Sequence, residues 1–267
     1  MPLSNFQKVN QFMTAFGQST LKTPQTESYT DDKLFNFRLS LIKEEFKEIK
    51  EAIKNDDFVE FVDGIADLLV VTYGTGLAFG INLDNSIEQY LQKYDNIERK
   101  NKSNYEMIRE KMLLNRDFVC NTTQPKLLNG AIGLIDKLIG PIEFEIETIE
   151  IFDYHQNVIE FLNKYFVVFA YRLTNIIKKT YELGITFGIN VDDAFEIVHK
   201  SNMSKLCISE EEAKQTVEWY LKNELRYPSP AYKPTSDGTH WIIYEQSTGK
   251  VLKSINYTPA DLKKFGQ

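Results

Sequence analysis

From Asn55 to Gln92 the chain runs without a lysine or arginine. The most apolar part of that run, Phe61-Val-Asp-Gly-Ile-Ala-Asp-Leu-Leu-Val-Val-Thr-Tyr73, nevertheless carries Asp63 and Asp67. A helix this apolar belongs in a core, and a carboxylate taken into a core needs a partner. No basic residue lies nearby in sequence. Just upstream, Glu44-Glu45-Phe-Lys-Glu48 offers more carboxylates instead. Carboxylates facing carboxylates make sense when a hard divalent cation sits between them.

Helical geometry sharpens this reading. At about 100° per residue, Lys43, Lys47, Lys50 and Lys54 fall on one side of the helix expected over about Asp32–Asn55. Glu45 and Glu48 flank its apolar stripe of Ile42, Phe46, Ile49 and Ile53. A surface helix laced with ion pairs usually interleaves its signs. On the next helix, expected over about Asp57–Phe79, Glu60, Asp63 and Asp67 share a face with Val70 and Gly74. If the two helices pack antiparallel, Glu45 and Glu48 meet Asp63 and Asp67. Four convergent carboxylates suit one or two Mg²⁺ ions, with Mn²⁺ as a substitute and oxygen ligands at roughly 2.1 Å. Glu-Glu-x-x-Glu alone is commonplace on solvated helices. The two aspartates in an apolar helix are what turn the pattern toward metal.

The 267 residues, 42% hydrophobic, allow one large domain or two small ones. A net charge of −7 argues against bulk attraction to nucleic acid or an anionic membrane. Cys120 and Cys207 have neither metal spacing nor a disulfide framework. The first residues lack a basic stretch leading into an apolar run, so no signal peptide is expected. No apolar run reaches about 18 residues without a charge. These features lead to an expectation of a soluble cytoplasmic protein with free thiols. There is no Walker loop, Gly-x-Gly-x-x-Gly or nucleophile triad. The three histidines are not paired at ligand spacing, and His199 reads as a packing residue. The abundant Tyr and Phe read as core filling, with Tyr73 a weak candidate for stacking on a base.

The expected architecture is an all-α helical bundle with a small C-terminal β-hairpin. Helices are expected over Phe6–Phe16, about Asp84–Arg99, Leu127–Leu138, Val158–Phe187, Asp192–Met203 and Glu210–Asn223. Residues 18–32 read as a loop, as does Asn121–Pro125. Gly140-Pro141 is expected to break the helix before it. Glu143-Phe-Glu-Ile-Glu-Thr-Ile-Glu-Ile-Phe alternates like a strand but also suits a helix start. Residues 226–234 read as extended or turn-like, and Thr239–Ile255 as two strands about Ser247-Thr-Gly249, where Trp241 and Tyr244 either cover the site or pack the tail. Lys250 and Lys253 read as solvated strand residues. The domain division expected is 1–99, a linker or insertion over 100–126, a second helical half over 127–206, and a C-terminal extension over 207–267.

One internal repeat stands out. Tyr73-Gly-Thr-Gly-Leu-Ala-Phe-Gly-Ile-Asn-Leu-Asp84 and Tyr181-Glu-Leu-Gly-Ile-Thr-Phe-Gly-Ile-Asn-Val-Asp192 align without a gap, with seven of twelve positions identical. Each copy follows a long helix, which suggests a duplicated helical hairpin.

The pattern resembles the all-α nucleoside triphosphate pyrophosphohydrolases, the MazG-like and phosphoribosyl-ATP pyrophosphohydrolase-like group. The matching segments are Val9–Gly17, Arg38–Glu48, Asp63–Thr75, Phe79–Asn82, Val191–Lys205 and Gly249–Leu262, of which His199-Lys-Ser-Asn-Met-Ser-Lys205 is the most specific. The resemblance implies Mg²⁺-dependent cleavage of a (d)NTP between the α and β phosphates, giving a monophosphate and pyrophosphate, a reaction suited to nucleotide-pool sanitation. It implies metal held by Glu45, Glu48 and Asp67, with Asp63 joining them and Glu44 as a ligand or base. Asn202 and Lys205 would contact phosphates or base, with Arg38 a further substrate contact. Relatives assemble as dimers or tetramers, so a homodimer is compatible.

The sequence departs from the family in two ways. Many MazG-like enzymes carry Glu three residues before the second-helix aspartate, where this chain has Gly64. About a hundred residues also separate the first Phe-Gly-Ile-Asn from the Asn202–Lys205 segment. In the repeat, Tyr94 and Ile97 align with Asn202 and Lys205, while Tyr171 and Asn175 align with Asp63 and Asp67. Each copy lacks what the other keeps, which suggests a fused, degenerate pseudo-dimer with one composite site. Two other readings compete: hydrolysis of phosphoribosyl-ATP, and a catalytically inactive helical module that binds nucleotide or a partner.

Overall fold

A computed structural model describes residues 3–95, 97–114, 132–150 and 166–266. Ten helices are described: α1 (Asn5–Ala15), α2 (Thr26–Tyr29), α3 (Asp32–Asn55), α4 (Phe58–Ala78), α5 (Leu83–Asp95), α6 (Asn104–Leu114), α7 (Ile132–Glu150), α8 (Phe166–Thr186), α9 (Val191–Met203) and α10 (Glu210–Asn223). Strands β1 (Pro230–Pro234), β2 (Trp241–Glu245) and β3 (Val251–Leu252) form an antiparallel sheet in that order, and a 3₁₀ turn covers Lys263–Phe265. The protein is all-α apart from this small sheet.

Local chemistry fixes the α3–α4 hairpin. Asp31 caps α3 by accepting from the Lys33 and Leu34 amides, and Asp57 caps α4 by accepting from the Glu60 amide. Between the helices Asp56 takes a left-handed conformation, φ 58°. Ile42, Phe46 and Ile49 of α3 meet Ile65, Leu68 and Leu69 of α4 in one continuous core. Each such fully buried aliphatic side chain contributes roughly 1.5–3 kcal/mol. Helix α4 is long and apolar enough to cross a membrane by length and composition, but 78% of its most apolar stretch is buried inside the fold. Its Thr72 and Thr75 hydroxyls donate to carbonyls one turn back, at Leu68 and Val71, so they add no unmet polarity.

The repeat is architectural. Helix α4 packs on α3 and α8 on α7, and α4 and α8 pack on each other at the centre. Helix α1 lies on α4 as α6 lies on α8. The last helix of each half crosses over: α9 packs on α4 and α5 on α8. The Phe-Gly-Ile-Asn turns do the same work twice. Gly80 and Gly188 adopt φ 71° and 73°, ending α4 and α8. Asn82 and Asn190 then cap α5 and α9 through the Asn85 and Asp193 amides.

Reciprocal hydrogen bonds mark the pseudo-two-fold axis. Asn5 of the first half donates to the Tyr181 hydroxyl at 2.9 Å and to Asp192 at 2.8 Å. Asn104 of the second half donates to the Tyr73 hydroxyl at 2.9 Å and to Asp84 at 2.8 Å. Ser4 bonds Asp84 of its own half, and Ser103 bonds Asp192 of its own. The repeat therefore extends upstream to Ser4-Asn5-Phe6 and Ser103-Asn104-Tyr105, a match too short to stand out in sequence. Tyr73 sits in this network, fully buried with its ring against Phe6 and Phe195, which leaves no face open to a base.

Several sequence expectations are corrected. Helix α7 runs through Gly140 and Pro141 without breaking. Ile139, Ile142, Ile146 and Ile149 are buried at three- and four-residue spacing, and that apolar face outweighs the one backbone bond proline removes. The same periodicity makes the start of the Glu143–Phe152 segment helical rather than a strand. Helix α5 stops at Asp95 instead of Arg99, and Arg99 turns back to bond Glu88 and Asn104. Residues 104–114, placed in a linker, form α6. Short helix α2 interrupts the expected loop over 18–32. The tail has three strands, not two: β1, with proline at both ends, pairs along its length with β2 as an edge strand. Trp241 packs on Tyr232 in this unit. Cys120, Asn121–Pro125 and the start of the helix expected from Leu127 lie outside the described residues, as do 158–165 of the helix expected from Val158.

Candidate active site

The antiparallel α3–α4 pair brings the acidic residues into one electrostatic cluster. Glu45 is half-buried, and burial together with the charges of Asp67, Glu48, Glu44 and Asp63 pushes its carboxyl up to about 8. Asp67 is pushed up to about 7 by burial and by Asp63, with Lys205 pulling the other way. Burial, Glu60 and Glu48 raise Asp63, again opposed by Lys205. Glu48 is exposed at the rim and is raised by the little burial it has, then by Glu44 and Glu60. Glu44 is exposed.

Asn202 and Lys205, at the end of α9, reach this cluster because α9 crosses onto α4. The Lys205 ammonium donates to Asn202 Oδ1 at 2.6 Å and is the cation acting on both Asp63 and Asp67. Its own pKa is lowered by burial, with Tyr257, Asp67 and Asp63 opposing the fall. The chain thus places the carboxylates of its first half beside the amide and ammonium of its second.

Arg38 stands apart. Only 7% exposed, its guanidinium lies against Gly74, whose missing Cβ leaves it room, and donates to Gln18 at 3.3 Å. Among the described residues its Nε has no hydrogen-bond partner, and burial lowers its pKa. His199 is partly buried and lowered by that burial, as a packing residue would be.

Gly64 has a packing reason. A Cβ there would come within 2.8 Å of Ile49 Cγ1 and 3.4 Å of the Ile49 amide nitrogen. The α3–α4 contact closes at this point, which leaves no space for the glutamate that many MazG-like enzymes carry there. Glu60 stands three residues before Asp63, so the Glu-x-x-Asp spacing recurs one turn earlier. Glu60 acts on Asp63, Asp67 and Glu48, yet the sequence reading left it out of the ligand set. Its spacing to Asp63 was the available signal.

The donor chemistry fits a hard divalent cation. Six carboxylates, Glu45 and Asp67 strongly desolvated among them, act on one another along α3 and α4, Lys205 opposes them at Asp63 and Asp67, and all the donors are oxygens. Among the described residues no three acidic, His or Cys side chains are already gathered as a ligand cage.

In the second half the corresponding place is self-neutralised. Glu145 Oε2 accepts from Arg172 at 2.7 Å and Glu145 Oε1 from Asn175 at 3.0 Å. Tyr171 and Asn175 stand where Asp63 and Asp67 stand in the first half. A guanidinium and an amide satisfy Glu145.

Residues 9–93, spanning most of α1 to α5, match the family model described as Phosphoribosyl-ATP pyrophosphohydrolase. That stretch, about a third of the chain, is therefore similar to a family of pyrophosphohydrolases and is helical throughout its main elements. Over nearly its whole length the chain is also similar to an uncharacterized protein of Acanthamoeba polyphaga mimivirus: 29% identity over 254 residues, covering 94% of this chain and 91% of that one. No solved structure gives a significant match.

Proposed function

We propose that the protein is a Mg²⁺-dependent nucleoside triphosphate pyrophosphohydrolase that releases a nucleoside monophosphate and pyrophosphate. The observation that carries this reading is the meeting of a desolvated, mutually repelling carboxylate cluster, on helices within the stretch that matches a pyrophosphohydrolase family, with Lys205 and Asn202 from outside that stretch. Glu45, Glu48, Asp63 and Asp67, with Glu60 beside them, would hold the cation. Bound there, Mg²⁺ would neutralise the polyphosphate and lower the pKa of a water for in-line attack.

The chain's own groups have distinct tasks. Lys205 donates to a phosphate oxygen as a compact charge, and Asn202 fixes where that charge sits. The apolar wall of α4 limits water around the carboxylates and strengthens every interaction there. Glu44, exposed at the edge, is placed to accept a proton from an incoming water. The compartment is proposed to be cytoplasmic, and the substrate a free nucleotide rather than nucleic acid.

The test is pyrophosphate and monophosphate release from a panel of NTPs, dNTPs and phosphoribosyl-ATP, with Mg²⁺ or EDTA. Turnover that needs Mg²⁺ and falls at least ~100-fold in Asp67→Asn is expected. Nucleotide binding with no turnover on any substrate would instead favour an inactive binding module.

A further inference from the structure

The C-terminal unit does not stop at its own small core. After β3 the chain returns across the end of α9. The Ser254 amide donates to the Lys205 carbonyl at 3.1 Å. The Ser204 hydroxyl and the Thr258 amide are joined at 3.0 Å, and Ser201 donates to the Tyr257 hydroxyl at 3.2 Å. The strap then buries Leu262 in the main core. It ends over the start of α4, where a Cβ at Gly266 would lie 3.2 Å from Val59. Glu60 and Asp63 lie within one turn of that point.

These bonds hold the residue before Ser254, Lys253, beside Lys205. The Lys253 ammonium rests 4.1 Å from the centroid of the Tyr257 ring, a cation–π contact that fixes a long and otherwise mobile side chain. Neither Lys205 nor Lys253 forms an ion pair among the described residues. Two like charges are therefore kept close by backbone and ring contacts, and only Lys205 of the two feels the attraction of Asp63 and Asp67. The charge of Lys253 is felt at Lys205, where it adds to the effect of burial.

We propose that Lys253, delivered by the C-terminal strap, is a second phosphate-binding residue of the site and acts with Lys205 on the pyrophosphate end of the substrate. This rests on the proposed function. The pyrophosphate end is the most highly charged part of a nucleoside triphosphate, and paired ammonium groups match it better than they match the monophosphate end. Tyr257 is the positioning residue that holds Lys253 over the site. The small sheet is thus part of the substrate site rather than an appendage.

The probe is inorganic pyrophosphate, titrated calorimetrically against the full chain with Mg²⁺ present, with orthophosphate as a second titrant. Lys253→Gln is expected to weaken pyrophosphate binding about 10-fold or more, with a smaller effect on orthophosphate. Lys253→Arg should keep much of the affinity, and Tyr257→Leu should lose part of it. Lys250→Gln, which changes the same net charge at the other end of β3, where the ammonium lies over Tyr227, should change little. Equal affinity in wild type and Lys253→Gln would overturn the proposal. So would an equal loss in Lys250→Gln, or no pyrophosphate binding by the wild type. Triphosphate turnover with a KM unaffected by Lys253→Gln would sink this inference and leave the hydrolase reading standing. Pyrophosphate binding that needs Lys253, without turnover of any nucleotide, would do the reverse.

Discussion

At the scale of single residues, the account turns on the carboxyl groups of Glu45 and Asp67. Both hold their protons more tightly in the folded chain than in the unfolded one, at about 8 and about 7 against ordinary values of 4.5 and 3.8. Between pH 4 and pH 8 the folded state therefore binds more protons, and stability falls as pH rises. The stabilisation is complete below about pH 4 and is lost on passing through about pH 8. A divalent cation supplies the missing positive charge and reverses the loss. Thermal unfolding in EDTA is expected to show a lower Tm at pH 8 than at pH 5. Mg²⁺ should recover much of that drop, and Asp67→Asn should flatten both effects. A Tm insensitive to Mg²⁺ at pH 8 would contradict this. The conflict at Asp63 and Asp67 was legible from sequence because their neighbours are apolar and no base is near. Lys205 was reachable only through the family resemblance, since 138 residues separate it from Asp67. Lys253 was passed over because a lysine in a short strand looks solvated, and nothing local shows that the strand returns to α9.

At the scale of elements, the close approach of α3 and α4 decides how well the carboxylates face one another. Gly64 allows that approach. Gly64→Ala places a Cβ 2.8 Å from Ile49 Cγ1, so the side chain or the helix must shift. A cost of about 1–3 kcal/mol is expected, read as a lower midpoint in chemical unfolding, with weaker Mg²⁺ binding if the helices part. An unchanged midpoint would mean Ile49 yields freely. Periodicity found α3 from Asp32 to Asn55 because its cap and stripe are local. It failed at α7, where local signals point to a break and the apolar face toward α3 and α8 overrides them. Helix α6 was missed because its short, mixed sequence carries little amphipathic signal. What secures it is the bonding of Asn104 to Tyr73 and Asp84 across the axis.

At the scale of the whole molecule, two similar halves share one site. Each half sends its last helix across to the other, so a site on α3 and α4 is completed by α9, and the opposite place on α7 and α8 receives α5. The first of these carries Asp63 and Asp67; the second has Tyr171 and Asn175 at those positions, and Arg172 and Asn175 close around Glu145. Sequence suggested this division through the residues each copy lacks, but the cross-over of α5 and α9 is a packing fact that a sequence does not display. The most direct test is to measure pyrophosphate release from a nucleoside triphosphate by Asp67→Asn, by Lys205→Gln and by an equimolar mixture of the two. If one chain builds the whole site, each variant is strongly impaired and the mixture does no better than its parts. Recovery of a substantial share of wild-type activity on mixing would mean that the carboxylates and Lys205 are supplied by different chains, and a variant with undiminished turnover would remove that residue from the site.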